Sequence, residues 1–270
     1  MLPRWVWDYI RTMNHGVHGN YYEIRGWNQE YISQKYKSRP SISDISSPCP
    51  SKRDVWIRKV LKTSIESKTL KIGRSVHKVF MEGFRIGYNS HDMEEAIYAK
   101  KKIIRRELNE IGDNSFYKTL SKIYDYGFEH GLIASRESIP VTIEPIIPGA
   151  LIGLSDYIRP DFMVGFIPVE LTTMNNDYIW WKKLAVTGYA LAIEAWAGNP
   201  VDYAVILQLS INGNPDLKYK VVRIDDHLRK KFIEIRDEIA RMLDYGEEPE
   251  IPVNCPRNCT YKEICLGRLK

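Results

Sequence analysis

Apolar residues recur at helical spacing through the first half of the chain. In the segment KRDVWIRKVLKT, residues 52–63, the apolar side chains of Val55, Trp56 and Val60 form one stripe of a predicted helix whose outer face is basic. The same spacing continues in three further segments, the second of which is highly charged. These three predicted helices span residues 73–88, 92–112 and 116–137.

The pattern changes at residue 139. Short β-branched runs separated by Pro and Gly predict a meander of three strands, in residues 139–149, 150–165 and 166–174. A long apolar helix follows, with an N-cap at Asn176 or Asp177 and a stop at Gly198. Two alternating strands around an Asn-Gly turn and an amphipathic helix complete the pattern. They span residues 201–211, 217–224 and 226–246.

This order of elements predicts an α/β fold with a mixed central sheet flanked by helices, a helical N-terminal part and a cysteine-rich tail. We divide it into a 1–48 extension, a 49–138 helical region, a 139–250 core and a 251–270 tail, which form one compact unit.

Composition narrows the class of protein. The 270 residues are 44% apolar with a formal net charge of +5, so the chain can bury a core. We find no apolar run long enough to span a membrane and no signal-peptide pattern, and we therefore expect a cytoplasmic protein without a membrane partner. The weakly basic balance permits binding to nucleic acid without requiring it.

The four cysteines are unevenly placed. Cys49 stands alone, whereas Cys255, Cys259 and Cys265 form a C-x3-C-x5-C tail. In a reducing cytosol this grouping favours one site made by four thiolates, and we interpret it as an iron-sulfur cluster. Zinc is the first rival, but structural zinc sites usually consist of two close cysteine pairs. Two disulfides or four unrelated cysteines explain the clustering poorly.

Two carboxylates in the predicted meander suggest a metal site. Asp161 and Glu170 lie on neighbouring strands joined by a turn at Gly165, and such a pair suits Mg²⁺ or Mn²⁺. A metal held there would support phosphodiester hydrolysis. The alternative is that both carboxylates are solvated groups at strand ends.

Other residues would complete such a site. Nucleases of this kind usually carry a lysine two residues after the glutamate, but that position is Thr172 here. Lys182 and Lys183, on the next predicted helix, are the candidates to supply the positive charge. His77 and the backbone carbonyl of Leu171 are further candidate metal ligands.

Several of these motifs occur together in the order found in RecB-type nucleases with an iron-sulfur cluster. The chain resembles their CRISPR-associated branch, and more narrowly the archaeal subtype I-A exonucleases, the Csa-one family, which is related to the fourth-numbered Cas family. The motifs are Gly73-x3-His77, Asp161, Glu170-x-Thr172, the Gly188-Tyr189 helix, Cys49-Pro50 and the cysteine tail.

The resemblance implies a PD-(D/E)xK nuclease fold with a [4Fe-4S] cluster on the four cysteines. It implies a divalent metal on His77, Asp161 and Glu170, with Asp156 as the reserve choice for the aspartate. Tyr189 would line the path of the DNA. The implied function is exonucleolytic cleavage of DNA ends, often of single strands, together with other proteins of CRISPR adaptation.

The absence of the usual lysine leaves other functions open. A non-catalytic DNA-binding or scaffold subunit would keep the fold and the cluster without turnover, and a general repair nuclease would use the same chemistry in another pathway. A basic run, residues 100–106, is either a phosphate-contacting surface or a solvated helix face. The sequence does not fix the oligomeric state.

Overall fold

The structure is a computed structural model that describes residues 23–90, 92–173, 180–211, 214–255 and 259–267. Six of the described helices correspond to predicted segments. One of them is short and five are long, including the predicted long apolar helix. In chain order the helices are α1 (Gln29–Ile32), α2 (Ile42–Ile45), α3 (Arg53–Lys59), α4 (Lys68–Asn89), α5 (Met93–Ile111), α6 (Tyr117–Arg136), α7 (Trp180–Ala197), α8 (Asp226–Tyr245) and α9 (Lys262–Cys265).

The described strands form a central five-stranded sheet and a separate two-stranded ribbon. The sheet order is β1-β4-β5-β6-β7, and the ribbon pairs β2 with β3. Only β5 and β6 run parallel in the sheet, joined through α7. The bounds are β1 (Val141–Ile143), β2 (Ile147–Pro148), β3 (Tyr157–Ile158), β4 (Phe162–Val164), β5 (Ile167–Thr172), β6 (Tyr203–Ser210) and β7 (Asp216–Arg223).

Helices cover both faces of this sheet, because side chains of each strand alternate between two cores. Val169 and Leu171 of β5 belong to the core with α4, α5 and α6. Ala204 and Ile206 of β6 belong to the core with α7 and α8. The predicted mixed α/β architecture is confirmed, and Glu170 lies on the α7 face of β5.

The predicted meander is only partly correct. Its last run contains β5, but residues 139–149 contain two short strands, β1 and β2, and residues 150–165 contain a 3₁₀ turn, β3 and β4. Asp161 therefore lies in the loop directly before β4 and not, as predicted from the sequence, on a strand. Pro160 explains the break, because proline has no N–H for a sheet hydrogen bond.

Two helix boundaries also differ from the prediction. Helix α3 ends at Lys59 and not at residue 63, whereas α4 begins five residues before the predicted start. The reason for the early start is Ser67, whose side chain caps the helix by accepting a hydrogen bond from Leu70 N. Helix α7 ends at Ala197, directly before the predicted stop at Gly198, which has a left-handed conformation (φ +67°). Its predicted N-cap, Asn176 or Asp177, lies outside the described residues.

Helices α4 and α6 cross with their backbones almost in contact. Gly83 and Gly87 of α4 face Gly127 and Gly131 of α6. A methyl group added at Gly87 would lie 2.1 Å from the carbonyl oxygen of Phe128. These glycines permit the close crossing that holds α4, and His77 on it, against the sheet.

A buried group of four charges attaches the segment before α1 to the rest of the molecule. Arg25 Nη1 lies 2.7 Å from Glu194 on α7 and 2.6 Å from Asp202 before β6. Arg229 of α8 bonds the same two carboxylates, with 2.6 Å to Glu194. Two positive charges thus balance two negative ones where α7 and α8 meet. No described helix is long and apolar enough to span a membrane.

Candidate active site

His77 and Asp161 meet beside the last residues of β5. The Nε2 atom of His77, on α4, lies 2.8 Å from Asp161 Oδ1, and the backbone N–H of Leu171 donates to Asp161 Oδ2 at 2.6 Å. Helix α4, the loop before β4 and strand β5 therefore each contribute one partner. The aspartate is fixed through both of its oxygens, which orients it for a role as a ligand.

Glu170 pairs with a lysine of α7. The Nζ atom of Lys182 donates to Glu170 Oε1 at 2.6 Å, and both side chains are mostly buried. Tyr189 lies two turns further along α7 and is 6% exposed. Its hydroxyl donates to the carbonyl oxygen of Arg159 at 3.2 Å. Tyr189 thus supports the wall of the site from inside the core.

The remaining candidates lie in different surroundings. Lys183 makes no ion pair with a described carboxylate. The carboxylate of Asp156, the reserve aspartate, is 67% exposed and pairs with Arg39 at 2.6 Å. Thr172 is buried and lies opposite Gln208 in the parallel pairing of β5 and β6. The structure therefore brings together His77, Asp161, Glu170 and Lys182, with the main chain of Leu171.

The charges of this group perturb one another. Burial opposes protonation of His77, but the hydrogen bond and charge of Asp161, with Glu170 and Glu144 beyond it, outweigh burial and raise the pKa of the imidazole. Burial raises the pKa of Glu170, and the neighbouring Lys182 ammonium counteracts that effect. Burial also raises the pKa of Tyr189 well above its ordinary value. Such mutual perturbation is typical of functional sites.

A cleft of about 350 Å³ opens beside Glu170. Hydroxyl groups from the α2 region form one wall, and cationic side chains lie on the other. The lining includes Ser41, Ser43, Tyr157, Arg159, Lys182 and Tyr189. A cleft with hydroxyl donors and two cations suits a phosphate-bearing ligand.

The donors at this site are those that a hard divalent cation takes, namely two carboxylates and one imidazole. In the described part of the chain, no three His, Cys, Asp or Glu side chains are already spaced to share one ion. The hydrogen bonds above explain this spacing, since each carboxylate is engaged by His77, the Leu171 amide or Lys182. Binding of a metal would require Glu170 to turn from Lys182 toward Asp161.

The four cysteines affect one another electrostatically. All four are free thiols, and Cys49 and Cys265 are buried. Burial raises the pKa of Cys259, with added contributions from Cys255 and Cys49. Burial likewise raises the pKa of Cys265. Arg53 lowers that pKa, whereas Cys49 and Cys259 raise it. Each thiol therefore has at least one other thiol as an electrostatic neighbour, and cysteine thiolates are the ligands that an iron-sulfur cluster takes.

Sequence reasoning missed residues that complete these surroundings. Glu144 follows β1 and acts on His77 through its charge. Lys52 is buried, and its Nζ donates to the carbonyl oxygens of Ile45 and Ser47 at 2.9 and 2.7 Å just before Cys49. Burial lowers the pKa of Lys52 to about 8. No sequence pattern indicates a role for Glu144, and the helical pattern predicts Lys52 only as part of a basic helix face.

Comparison with known proteins points to one family. A family model described as "CRISPR-associated exonuclease Csa1" matches residues 9–268. The chain is 26% identical over 265 residues to the CRISPR-associated exonuclease Csa1 of Thermoproteus tenax, with 90% of each chain covered. It is 23% identical over 275 residues to the Csa1 protein of Saccharolobus solfataricus, covering 90% of this chain and 91% of the relative.

A more distant relative matches part of the chain. The CRISPR-associated exonuclease Cas4 of Aeropyrum pernix is 31% identical over 122 residues, which cover 42% of this chain and 58% of that protein. No solved structure gives a significant match.

Proposed function

Because the chain belongs to the Csa1 family of CRISPR-associated exonucleases, we propose that it is a divalent-metal-dependent nuclease that degrades DNA from its ends. The observation that carries this proposal is the convergence of His77, Asp161, Glu170 and Lys182 at the end of β5. We interpret the sheet with its β5-α7-β6 crossover as a PD-(D/E)xK core, in which this group occupies the catalytic position.

Each residue then has a distinct task. His77, Asp161 and Glu170 would hold Mg²⁺ or Mn²⁺, with the main chain of Leu171 beside them. The bound metal would polarise the scissile phosphate and lower the pKa of an attacking water. Lys182 enters from α7 on the same side as Glu170 and supplies the positive charge that Thr172 lacks. Arg159 and the hydroxyl wall of the cleft would bind the phosphate of the terminal nucleotide.

We also propose a [4Fe-4S] cluster on Cys49, Cys255, Cys259 and Cys265. Its support is the shared neighbourhood of the four free thiols, two of which are buried. The cluster would join the segment before α3 to the segment around α9, and it therefore stabilises the fold instead of taking part in hydrolysis.

The nuclease proposal is tested with end-labelled linear DNA, single- and double-stranded, and a closed circular single strand as substrate without ends. We expect the linear substrates to be degraded in Mg²⁺ or Mn²⁺, with no loss of the circle and no reaction in EDTA. Glu170→Gln should reduce the rate at least ~100-fold, whereas Glu234→Gln, at an exposed position on α8, should leave it unchanged. Equal rates in both variants would refute the assigned site.

The cluster is tested on protein purified without oxygen. We expect a brown protein with about four iron and four sulfide per chain, both lost in Cys265→Ala. A colourless protein with one bound zinc would contradict the proposed cluster.

Thr172 favours a second candidate, a DNA-binding scaffold subunit without turnover. The same assay separates the two functions, because a scaffold would bind the labelled DNA without degrading it under any metal condition. In either case we propose that the protein works with other proteins of CRISPR adaptation, and that its substrate is a DNA end, principally a single strand.

A further inference from the structure

A second cavity, larger than the cleft beside Glu170, lies on the outer side of the helical layer. It encloses about 890 Å³ between α5, from Tyr98 to Asn109, and the turn that leads into α6. We call it the α5 groove. Its rim is formed by Tyr98, Lys101, Lys102, Arg105, Arg106 and Tyr117.

The charge of the α5 groove has one sign. Four of its lining side chains are cationic, and none is a carboxylate. Lys101, Lys102 and Arg105 are exposed and make no ion pair with a described carboxylate. By contrast, Lys100, on the next face of α5, is neutralised by Asp125 at 2.6 Å. Concentrated positive charge without partners attracts a polyanion.

The aromatic residues of the groove distinguish between polyanions. Tyr98 is 68% exposed and Tyr117 is 53% exposed, so both rings are open to a ligand. Tyr98 shares one helix face with Lys101, Lys102 and Arg105, because these positions are three, four and seven residues apart. Cations for phosphates beside aromatic rings for bases are the combination used to bind single-stranded nucleic acid. An acidic protein would use the charges but not the rings.

Hydrogen bonds link the groove to helix α4, which carries His77 of the candidate active site. Glu107 is buried and accepts a hydrogen bond from Arg106 Nε at 2.9 Å. It accepts a second one, also at 2.9 Å, from Ser75 Oγ on α4, two residues before His77. One carboxylate therefore fixes the groove to the helix that carries the candidate metal ligand.

We propose that the α5 groove binds single-stranded DNA at a distance from the reacting end. The identity of the ligand as DNA rests on the proposed function, whereas the affinity for a single strand rests on the groove itself. Such a site holds the substrate between successive cleavages, so that a long strand stays bound while its end is shortened.

Binding is measured by fluorescence anisotropy in EDTA, with labelled strands of about 20 and about 4 nucleotides. These lengths bracket the ~4–16 nucleotides that one single-strand-binding domain of the OB-fold type covers. The double variant Lys102→Ala/Arg105→Ala should weaken binding of the long strand roughly 10-fold or more at low salt and reduce the salt slope by about 1.4. Tyr98→Ala should weaken it roughly 10-fold, and Tyr98→Phe should not. The control Lys230→Ala/Lys231→Ala removes the same charge from α8 and should have no effect.

Several outcomes would overturn the proposal. The first is an unchanged affinity for the long strand in both groove variants, and the second is an equal loss of affinity in the α8 control. The third is tighter groove-dependent binding of RNA than of DNA of equal sequence. The fourth is displacement of the labelled strand by polyglutamate at the same charge concentration as by unlabelled DNA. Thermal melts check that all variants are folded.

A cleavage assay separates this proposal from the proposed function. If both are right, the groove variants degrade the short strand at the wild-type rate but dissociate from the long strand after fewer cleavages. If the nuclease proposal fails, no protein cleaves DNA, and the loss of long-strand binding in the groove variants still supports the groove.

Discussion

Lys182 and Lys183 are neighbours in sequence with different surroundings. Lys182 bonds Glu170 at 2.6 Å, and Lys183 makes no ion pair with a described carboxylate. We expect Lys182→Ala to lower the rate of DNA cleavage ~100-fold, because the proposed function assigns the positive charge of Lys182 to the scissile phosphate. Lys183→Ala is the matched control and should stay close to the wild-type rate. Equal losses in the two variants would contradict the assignment of Lys182.

A buried histidine of α6 should make stability depend on pH. Burial lowers the pKa of His130 to about 4, and its ring lies 4.4 Å from that of Tyr126. In the unfolded chain the imidazole of His130 becomes protonated near pH 6.5. Between pH 6.5 and 4 the unfolded chain therefore binds more protons than the folded chain. Stability is therefore complete above pH 6.5 and declines on acidification, by at most ~3 kcal/mol from this residue.

Urea unfolding at several pH values between 4 and 7 tests this effect. The slope of stability against pH should be smaller in His130→Gln than in the wild type. His227→Gln changes an exposed histidine and should leave the slope as it is. Parallel slopes in all three proteins would show that His130 does not contribute.

At this scale the sequence predicted residue types better than it predicted contacts. His77, Asp161 and Glu170 were named from spacing and resemblance, and they lie together in the structure. The choice between Lys182 and Lys183 required the orientation of α7 about its axis, which a uniformly apolar helix does not reveal. Glu144 could not be found, because its position depends on the turn after β1.

At the scale of elements, the crossing of α4 and α6 gives a sharp prediction. Gly87→Ala should lower the free energy of unfolding by about 1–3 kcal/mol, because its new methyl group meets the Phe128 carbonyl. Gly73→Ala, in the same helix, meets nothing closer than Thr173 Oγ1 at 3.8 Å and should be neutral or stabilise by ~0.5–1 kcal/mol. Equal effects in urea unfolding would argue against a close crossing.

Long helices were predicted well because their periodicity is local. The strands of the 139–165 region were not, since strands of two or three residues owe their existence to partners elsewhere in the chain. The pairs of glycines four positions apart in α4 and α6 are a usable signal for a close crossing, but the spacing of apolar residues does not include them.

At the scale of the whole molecule, the four buried charges around Glu194 hold distant segments together. Glu194→Gln would leave two buried arginines with one carboxylate, Asp202, and we expect a loss of about 3–5 kcal/mol in unfolding free energy. Glu234→Gln affects an exposed pair with Lys231 and should cost less than ~1 kcal/mol. A small loss in Glu194→Gln would mean that the group relaxes to admit water.

The overall class of fold was predictable from the order of helices and strands, but this charge cluster was not. Arg25 and Glu194 are 169 residues apart in sequence. The residue pattern of neither segment indicates a contact with the other. Ile24, beside Arg25, is consequently part of the core with α7 and α8, which the mixed composition of this segment does not indicate.

The neighbourhood of Cys49 and Cys265 also has a consequence for biosynthesis. A ribosome adds Cys265 216 residues after Cys49, so the first thiol has no such neighbour during most of translation. Strands β5 and β6 both precede Cys265 in the chain, so their parallel pairing does not depend on the later thiol. If the proposed cluster is bound, we expect iron and sulfide supplied only after chain release still to yield the intact protein, whereas oxidation of the nascent Cys49 thiol would prevent it.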